Sequence, residues 1–365
     1  MANSSPSPGL IRRSFLADAE KLQLVRLSER AMSSEHPEII IIDTAKNKSI
    51  ITSELHEQIR SALQSKNSVM LYVNRRGTTP LFMCDECGHS FICPICGLNL
   101  HLHADIMRLN CHGCGYSTAP PAVCPQCKSD NLRGVGIGTK AVESLVNDEF
   151  PKKRTVRIDR DSYGPQQFKD TIKKLESGKI DFIIGTQMLG RGLDLAGLEL
   201  VGIINADYDL LASDYNSRER AFQQISQTAG RAGRRGERGK VIIQTKLPND
   251  EVLKDIASND YESFYESELE ARKKYSYPPF TYLLKLECGY AAPKLGQSKC
   301  EALAREVLET KGFEVLGPAK SYPHIKNGKH FWKLVIKSKN RQKLVDLAKR
   351  LDNNWTINLD PYGIT

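Results

Sequence analysis

Residues 181–194 read DFIIGTQMLGRGLD. The first four, Asp181 to Ile184, form a short apolar run of the kind that makes a buried parallel strand. The Gly-Thr-Gln sequence that follows begins a glycine-punctuated loop leading toward a helix. A strand that enters such a loop is the repeating unit of parallel α/β sheets, so this stretch predicts a strand inside such a sheet.

The segments on both sides of this strand alternate between strand and helix patterns. Upstream, predicted strands at Glu38–Asp43 and Val69–Val73 flank a predicted helix at Ser53–Gln64. This alternation predicts βαβ units and one α/β domain. The remaining predicted elements of this domain are helix Thr139–Glu149, strand Thr155–Ile158, helix Pro165–Glu176, strand Leu200–Asn205, helix Ser217–Thr228 and strand Lys240–Thr245.

A block rich in cysteine, residues 83–134, interrupts the alternation. Two thiolates three positions apart can hold one tetrahedral zinc ion from a tight turn, and glycine directly follows three of the pairs. Iron–sulfur ligation uses other spacings, and disulfides are disfavoured in a cytosolic chain. The block therefore predicts an inserted module with two zinc ions. Its four C-x-x-C pairs are Cys84/Cys87, Cys93/Cys96, Cys111/Cys114 and Cys124/Cys127.

The sequence alone does not determine which pairs share an ion. A nested arrangement is one alternative, with the two inner pairs on one ion and the two outer pairs on the other. Because eight thiolates complete two tetrahedral sites, the neighbouring histidines are predicted not to be ligands. A site closed by four thiolates predicts a structural ion that shapes a rigid surface for DNA or a protein partner. The histidines are His89, His101, His103 and His112.

Composition limits the classes of function. The 365 residues carry 52 Lys and Arg against 43 Asp and Glu, a net charge of +9. This excess suits a polyanion such as nucleic acid, although a basic surface without a ligand would give the same count. No apolar run reaches about 18 residues and residues 1–10 lack the apolar core of a signal peptide. We therefore expect a cytoplasmic protein with no membrane segment and a disordered tail at 1–10.

The last third of the chain has a different order of elements. Its patterns predict strand, helix, two strands, helix and strand, which is the β-α-β-β-α-β order of ferredoxin-like α+β domains. Combined with the preceding segments, this gives a predicted division of the chain. The divisions are an α/β lobe at 11–82 and 135–250, the cysteine insertion at 83–134, and a C-terminal domain at 251–365.

A second motif follows the opening strand and loop in the chain. Residues 227–234 read QTAGRAGR, and the two motifs in this order resemble motifs V and VI of superfamily 2 helicases. The resemblance implies a second RecA-like lobe in which Arg231 and Arg234, led by Gln227, face ATP bound on the other lobe. The simpler alternative is that these arginines make only surface or phosphate contacts. The motif V loop, implied to couple DNA contacts to the nucleotide, is matched by Gly185, Thr186, Gln187, Arg191 and Asp194.

Further segments resemble the PriA family of helicases over nearly the whole chain. Residues 74–77, NRRG, match motif IV of that family, and the eight cysteines come directly afterwards. Residues 277–280, 316–319 and 359–361 match as well. The resemblance implies an ATP-dependent 3′-to-5′ DNA helicase of replication restart. Its implied partners are forked and single-stranded DNA, single-strand-binding protein and other primosome proteins.

The phosphate-binding part of a helicase motor is missing from the 365 residues. They contain no G-x-x-x-x-G-K-[S/T] motif and no D-E-x-H box. We therefore expect ATP and Mg²⁺ to bind only together with a first motor lobe, and the chain alone to be inactive. It would then be a fragment, a mis-called start or a split gene product. The alternative is a non-catalytic zinc-ribbon module that binds DNA or protein.

Overall fold

The computed structural model describes residues 36–45, 47, 49–73, 81–103, 106–135, 138–158, 171, 173–174, 177, 179–186, 198–233 and 238–365. Several sequence predictions therefore lie outside the described residues. They are motif IV at residues 74–77, most of the helix Pro165–Glu176, the tail at 1–10, and the motor residues Gln187, Arg191, Asp194 and Arg234. Within the described part of the chain, no helix is long and apolar enough to cross a membrane.

The described strands and helices alternate in the first two thirds of the chain and are labelled in chain order. The strands are β1 (Glu38–Asp43), β2 (Ser68–Val73), β3 (Leu81–Cys84), β4 (Leu100–His103), β5 (Arg108–Cys111), β6 (Ser117–Thr118), β7 (Leu132–Val135), β8 (Thr155–Ile158), β9 (Phe182–Gly185), β10 (Leu198–Ile204), β11 (Lys240–Thr245), β12 (Tyr282–Tyr290), β13 (Glu314–Lys326), β14 (Lys329–Ser338) and β15 (Thr356–Leu359). The helices are α1 (Ser53–Gln64), α2 (Thr139–Glu149), α3 (Asp207–Leu210), α4 (Ser217–Ala229), α5 (Glu251–Ser258), α6 (Tyr261–Lys274), α7 (Pro293–Glu309) and α8 (Arg341–Arg350).

A six-stranded parallel sheet forms the centre of the first part. Its strand order is β1-β11-β10-β2-β9-β8. Alternate residues of a strand face opposite sides of the sheet, so β2 contributes Met70 and Tyr72 to one core and Leu71 to the other. Helices α4 and α5 cover the first core, and α1 and α2 cover the second. The predicted α/β class with a RecA-like parallel sheet is confirmed.

Helix α1 is fixed at its start by its cap and by the neighbouring strand. The Thr52 hydroxyl accepts a hydrogen bond from the Leu55 N–H at 3.2 Å, which satisfies one of the free donors of the first turn. The side chain of Gln244 on β11 accepts from the Thr52 N–H at 2.9 Å and donates to the Ile50 carbonyl at 2.8 Å. The buried amide therefore joins the helix start to the sheet.

The cysteine module is a separate five-stranded antiparallel sheet with the order β6-β5-β4-β3-β7. The chain enters it through β3 and leaves it through β7. These two strands pair antiparallel from Leu81↔Val135 to Cys84↔Leu132. Because the entry and exit strands lie side by side, the parallel sheet accommodates the insertion without separating its own strands. The predicted insertion inside the α/β fold is confirmed.

The last part of the chain has the predicted β-α-β-β-α-β order, in an antiparallel sheet arranged β13-β14-β12-β15. Helices α7 and α8 cover one face of this sheet, and residues of the cysteine module pack on the other. The sequence prediction was wrong about strand lengths here. The strands predicted at residues 313–316 and 332–336 are in fact the longer β13 and β14, which form a hairpin. The prediction was too short because many residues of the outer half of the hairpin are polar. Helices α5 and α6 were not predicted.

The end of the described chain attaches the C-terminal domain to the loop before α4. The Asp214 carboxylate accepts hydrogen bonds from the Ile364 N–H at 3.1 Å and from the Thr365 hydroxyl at 3.0 Å. Lys333 of β14, almost fully buried, donates to the Ile364 carbonyl at 2.6 Å. Tyr215 donates from its hydroxyl to the Pro361 carbonyl at 3.0 Å. One buried carboxylate therefore joins two parts of the molecule.

Replacing Asp214 tests this connection. Asp214→Ala removes several hydrogen bonds to a buried carboxylate and leaves backbone N–H groups without partners, so we expect the free energy of unfolding to fall by about 3 kcal/mol. Chemical denaturation of the purified chain measures the change. Asp130→Ala, at an exposed aspartate of the cysteine module, is the matched control and should change stability little. Equal losses in the two variants would contradict the assignment.

Candidate functional site

The eight paired cysteines form two compact clusters. One holds Cys84, Cys87, Cys124 and Cys127, and the other holds Cys93, Cys96, Cys111 and Cys114, with the sulfur atoms of each set within 4.8 Å of one another. The structure therefore brings together the nested arrangement that the sequence left as one alternative. The closest sulfur pairs are Cys84–Cys127 at 3.5 Å, Cys87–Cys124 at 3.7 Å, Cys93–Cys114 at 3.5 Å and Cys96–Cys111 at 3.3 Å.

These distances fit a tetrahedral metal ion. Four zinc–sulfur bonds of about 2.3 Å place the sulfurs about 3.8 Å apart. A disulfide bond, in contrast, holds its two sulfurs at about 2.05 Å, and the ten cysteines are all free. The two clusters are therefore consistent with two metal sites, each with four thiolate ligands and no open coordination position.

The same backbone turn occurs at all four cysteine pairs. In each, the residue after the second cysteine donates its N–H to the carbonyl of the first cysteine at 3.0 Å. The first cysteine in turn donates its own N–H to the residue five positions later, at 2.7–2.9 Å. The residue after the pair has a positive φ in every turn, which explains the glycines. The four residues are Gly88 (72°), Gly97 (74°), Gly115 (80°) and Lys128 (64°).

Close packing gives a second reason for glycine in these turns. A Cβ atom on Gly88 would lie 2.5 Å from the Lys246 carbonyl oxygen, just after β11 of the parallel sheet. A Cβ on Gly115 would lie 2.5 Å from the Pro318 carbonyl oxygen on β13. Lys128 is exposed, and its turn is the one without glycine. The module is therefore wedged between the two other sheets through its glycine turns.

The electrostatics of the clusters favour a bound cation. Burial raises the pKa of Cys84 and raises the pKa of Cys87 to about 12. Contacts with Cys114 and Cys93, together with burial, raise the pKa of Cys111. Four thiolates this close repel one another electrostatically. A divalent cation that replaces their protons compensates this repulsion. The donor set therefore fits zinc, which prefers sulfur ligands in tetrahedral geometry.

The nearby histidines make other contacts, and neither cluster within the described chain includes one. His89 Nδ1 lies 3.2 Å from the Gln126 side-chain oxygen, and His103 Nε2 lies 3.0 Å from His112 Nε2. His101 hydrogen-bonds to the Ser213 hydroxyl of the α/β part. Burial lowers the pKa of His112 to about 3, so this ring is neutral at physiological pH.

A buried aspartate in the first turn connects the cysteine module to the parallel sheet. Asp85 forms ion pairs with Arg133 on β7 and with Lys246 after β11. Burial lowers the pKa of Lys246, while the nearby Cys84 and Asp43 act in the opposite direction. The Lys246 N–H donates to the buried carboxylate of Asp207, whose pKa burial raises to about 6. Sequence analysis missed this connection because the partners lie far apart in the chain.

The described residues among those predicted to belong to the motor motifs lie at opposite edges of the parallel sheet. Gly185 ends β9 level with Tyr72, and Thr186 follows it at the carboxyl edge. Arg231 follows α4 close to Gly233, whose N–H donates to the carbonyl of Leu198 at the amino end of β10. Leu198 pairs with Ser68, four residues before Tyr72, which corresponds to about 13 Å along the strand. Among the described residues, Gly185 and Thr186 therefore lie at the carboxyl edge of the sheet and Arg231 near its amino edge.

Arg231 is almost fully buried, and burial lowers the pKa of its guanidinium. Gln227 lies one helical turn earlier on α4 and is half-buried.

Helix α4 also carries an ion network that sequence analysis missed. Arg272 of α6 contacts Glu219 of α4 at 2.6 Å and Glu268 of its own helix at 2.7 Å. The four-residue spacing of Glu268 and Arg272 was the available signal.

The chain matches two family models and is similar to curated PriA proteins. Residues 137–236 match the family model described as the helicase conserved C-terminal domain, and residues 273–362 match the primosomal protein N C-terminal domain. The chain is 32% identical over 354 residues to the Replication restart protein PriA of Borreliella burgdorferi, covering 94% of this chain and 53% of the relative. Identity to the PriA protein of Bacillus subtilis is 32% over 359 residues, 93% of this chain and 45% of the relative.

The chain thus spans about half the length of the curated relatives it matches. Among solved structures, the Mycobacterium smegmatis helicase Lhr, bound to ssDNA and AMP-PNP, aligns with a TM-score of 0.33 and 12% identity. The alignment covers 62% of this chain and 22% of that one. A score this low supports no inference about function.

The two clusters predict a metal content of two ions per chain. Protein purified without chelator should contain about two zinc ions, measured by elemental analysis. Cys96→Ser removes a buried ligand from the inner cluster, so it should lower zinc content to about one and destabilise the module, because metal binding contributes folding free energy. Cys288→Ser, outside both clusters, is the control and should keep two ions. Stoichiometric iron, or no metal, would contradict the prediction.

The packing of the turns predicts unequal effects of alanine at equivalent positions. Gly115→Ala combines a positive φ with a Cβ atom 2.5 Å from the Pro318 oxygen, so it should lower the free energy of unfolding by about 3 kcal/mol. Lys128→Ala, in the exposed fourth turn, replaces one side chain with another at similar φ and should have almost no effect. Denaturation of the zinc-loaded variants compares them. Equal effects would show that packing is not the reason for glycine.

Proposed function

The chain belongs to the family of PriA replication restart proteins, and from this premise we propose that it is part of an ATP-dependent 3′-to-5′ DNA helicase of replication restart. In this proposal, residues 11–82 and 135–250 form the second motor lobe, residues 83–134 the metal module and residues 251–365 the C-terminal domain. The enzyme would act in the cytoplasm on forked and single-stranded DNA. Its protein partners would be single-strand-binding protein and other primosome proteins.

The order of the three parts along the chain is the observation that supports the proposal most. The parallel sheet is interrupted after β2 by the two four-cysteine clusters and then resumes, and the antiparallel sheet follows. The helicase family model matches the resumed part of the sheet, and the primosomal model matches the last part. A zinc module built for DNA binding alone would not require the six-stranded sheet around it.

The proposed motor residues form two groups along the chain. In the proposed enzyme, Arg231 and Arg234 face ATP held by a first motor lobe and stabilise charge on the γ-phosphoryl group, with Gln227 beside them. The loop that starts at Gly185 and Thr186, continuing through Gln187, Arg191 and Asp194, would couple contacts with the DNA backbone to the bound nucleotide. ATP and Mg²⁺ would be bound only when the first lobe is present.

The zinc ions would be structural in this proposal. Their four-thiolate sites have no open position for a water or substrate, so the ions would supply shape and rigidity and take no part in ATP hydrolysis. The rival proposal, a non-catalytic zinc module that docks on DNA or a protein, keeps the same two ions. ATP hydrolysis by the chain joined to a first motor lobe, and its dependence on the motor arginines, separates the two proposals.

Joining the chain to the first motor lobe of a PriA relative tests the motor proposal. The isolated chain should not hydrolyse ATP, because its 365 residues contain no phosphate-binding loop, and the joined protein should hydrolyse ATP in a DNA-stimulated manner. In the joined protein, Arg234→Ala should lower kcat about 10³-fold with little change in DNA affinity, because an arginine finger acts on the transition state. Steady-state ATPase assays and DNA titrations measure both quantities.

A matched arginine variant serves as the control for that experiment. Arg305→Ala changes an exposed arginine of α7 and should leave both ATPase and DNA binding unchanged. If Arg234→Ala turned over ATP normally, the motor interpretation of residues 227–234 would be wrong and the binding-module proposal would stand. ATP hydrolysis by the isolated chain would contradict the expectation that its nucleotide site is incomplete.

A further inference from the structure

Three aromatic rings form a column that runs from the interior of the molecule to its surface. His101 and His112 of the cysteine module stack with ring centroids 4.4 Å apart and planes 5° apart. Tyr322 of β13 continues the column, 5.8 Å from His112 and tilted by 13°. The inner end is anchored by the hydrogen bond of His101 to Ser213, and both atoms of that contact are buried. The outer ring, Tyr322, is 48% exposed.

The hairpin that carries the outer ring is strongly basic. Between Glu314 and Asp346 the sequence contains no acidic residue. Lys320, Lys326 and Lys329 are exposed on β13 and β14 around the hairpin end. The other basic residues of this stretch are Lys333, Lys337, Lys339, Arg341 and Lys343, of which Lys333 and Lys337 are buried.

A second hairpin, in the cysteine module, carries an exposed cation, Arg108, whose guanidinium donates to the Ser117 hydroxyl at 2.7 Å and to the Ser117 carbonyl at 3.1 Å. Arg108 on β5 is exposed and is the register partner of His103 on β4. His103 in turn contacts His112, the middle ring of the column, at 3.0 Å. The root of the basic hairpin rests on the same module, because Gly115 lies against Pro318 of β13. The aromatic column therefore has basic side chains on both hairpins.

We propose that Tyr322, supported by the stacked rings of His112 and His101, is a platform on which a base of single-stranded DNA stacks, while Lys320, Lys326, Lys329 and Arg108 contact the adjacent phosphates. This site rests on the proposed DNA helicase function and adds a DNA-binding surface formed by residues outside both motor motifs. The platform consists of residues from the cysteine module and the C-terminal domain. It exists only while the turn at Cys111–Cys114, which carries His112, and the β13–β14 hairpin, which carries Tyr322, keep their relative positions.

Single-stranded DNA fits this surface better than duplex DNA or a protein does. A ring face can stack only on an unpaired base, because the bases of a duplex are already stacked on one another. Basic side chains around an aromatic platform are the arrangement by which proteins hold single strands without reading their sequence. A protein partner would require acidic or apolar complementarity to this surface. The concentration of lysines with no acidic residue favours the polyanion.

Substitution of the outer ring tests the platform. Tyr322→Ala in the full chain should weaken binding of a thymidine oligonucleotide of about 20 residues roughly tenfold, because one stacked base is lost. Tyr322→Phe keeps the ring and should retain the parent affinity. Fluorescence anisotropy at fixed salt measures both. Tyr362→Ala is the matched control, because Tyr362 is another exposed tyrosine, 66% exposed, that is not part of the column.

The basic side chains predict a change in salt dependence. Lys326→Ala combined with Lys329→Ala should make the slope of log Kd against log salt about 1.4 smaller, since each phosphate contact with a single strand contributes about 0.7. The control pair, Lys299→Ala with Lys349→Ala, lies on α7 and α8, which cover the other face of the sheet. This pair should leave the slope unchanged. Equal slopes in the two double variants would overturn the phosphate contacts.

Photo-crosslinking locates the base directly. An oligonucleotide that carries 5-iododeoxyuridine should crosslink to the peptide containing Tyr322, as identified by mass spectrometry, and the crosslink should be lost in Tyr322→Ala. Strong DNA binding with unchanged affinity in Tyr322→Ala, or crosslinks confined to other segments, would overturn the platform but leave the helicase proposal intact. If neither the parent chain nor the protein joined to a first motor lobe binds DNA, the proposed function itself fails.

Discussion

Two four-cysteine clusters hold a five-stranded antiparallel sheet against the other two sheets, and the arrangement of the molecule depends on the turns that form those clusters. Each turn exposes the residue after its second cysteine at positive φ, where a glycine lets another backbone approach closely. Gly88 lies against the end of β11 and Gly115 against β13. The cysteine turns thus have two roles. Their conformation presents the thiolates, and it also lets the backbone of the neighbouring sheets pack closely against the glycines.

Buried charges connect the same parts. Asp85 joins the first turn to Lys246 at the carboxyl edge of the parallel sheet, and Asp214 receives the N–H groups of the last residues of the C-terminal domain. Lys337 of β14 lies 4.4 Å from the ring of Tyr277 and donates to the Tyr275 carbonyl at 2.7 Å. The cost of removing both charges from water offsets most of their attraction, so these contacts fix geometry more than they add net stability. Removal of one partner alone would still be destabilising, because it leaves a buried charge unpaired.

The sequence predicted the elements with a strong repeating signal. The apolar strand around Phe182, the helix Ser53–Gln64 and the paired cysteines were all recognisable from local pattern, and the structure contains them. The long hairpin of β13 and β14 was underestimated, because its outer half is polar and carries no two-residue apolar alternation. The contacts of Asp85 with Lys246 and of His112 with Tyr322 join residues more than 150 positions apart. Local periodicity carries no information about such pairs, which only the packing of the three sheets brings together.

The position of the insertion gives the two edges of the parallel sheet different surroundings. The cysteine module contacts the sheet just after β11, at the carboxyl edge, which is also where Thr186 follows β9. Ligands of open parallel sheets bind outside the carboxyl ends of the strands. The module therefore lies beside the edge of the sheet where a ligand is expected. Arg231 lies near the amino end of β10, and the contacts of the module described above do not reach it. A change in the metal module would therefore alter the carboxyl edge first, and would affect the arginine surface only through the sheet that separates the two.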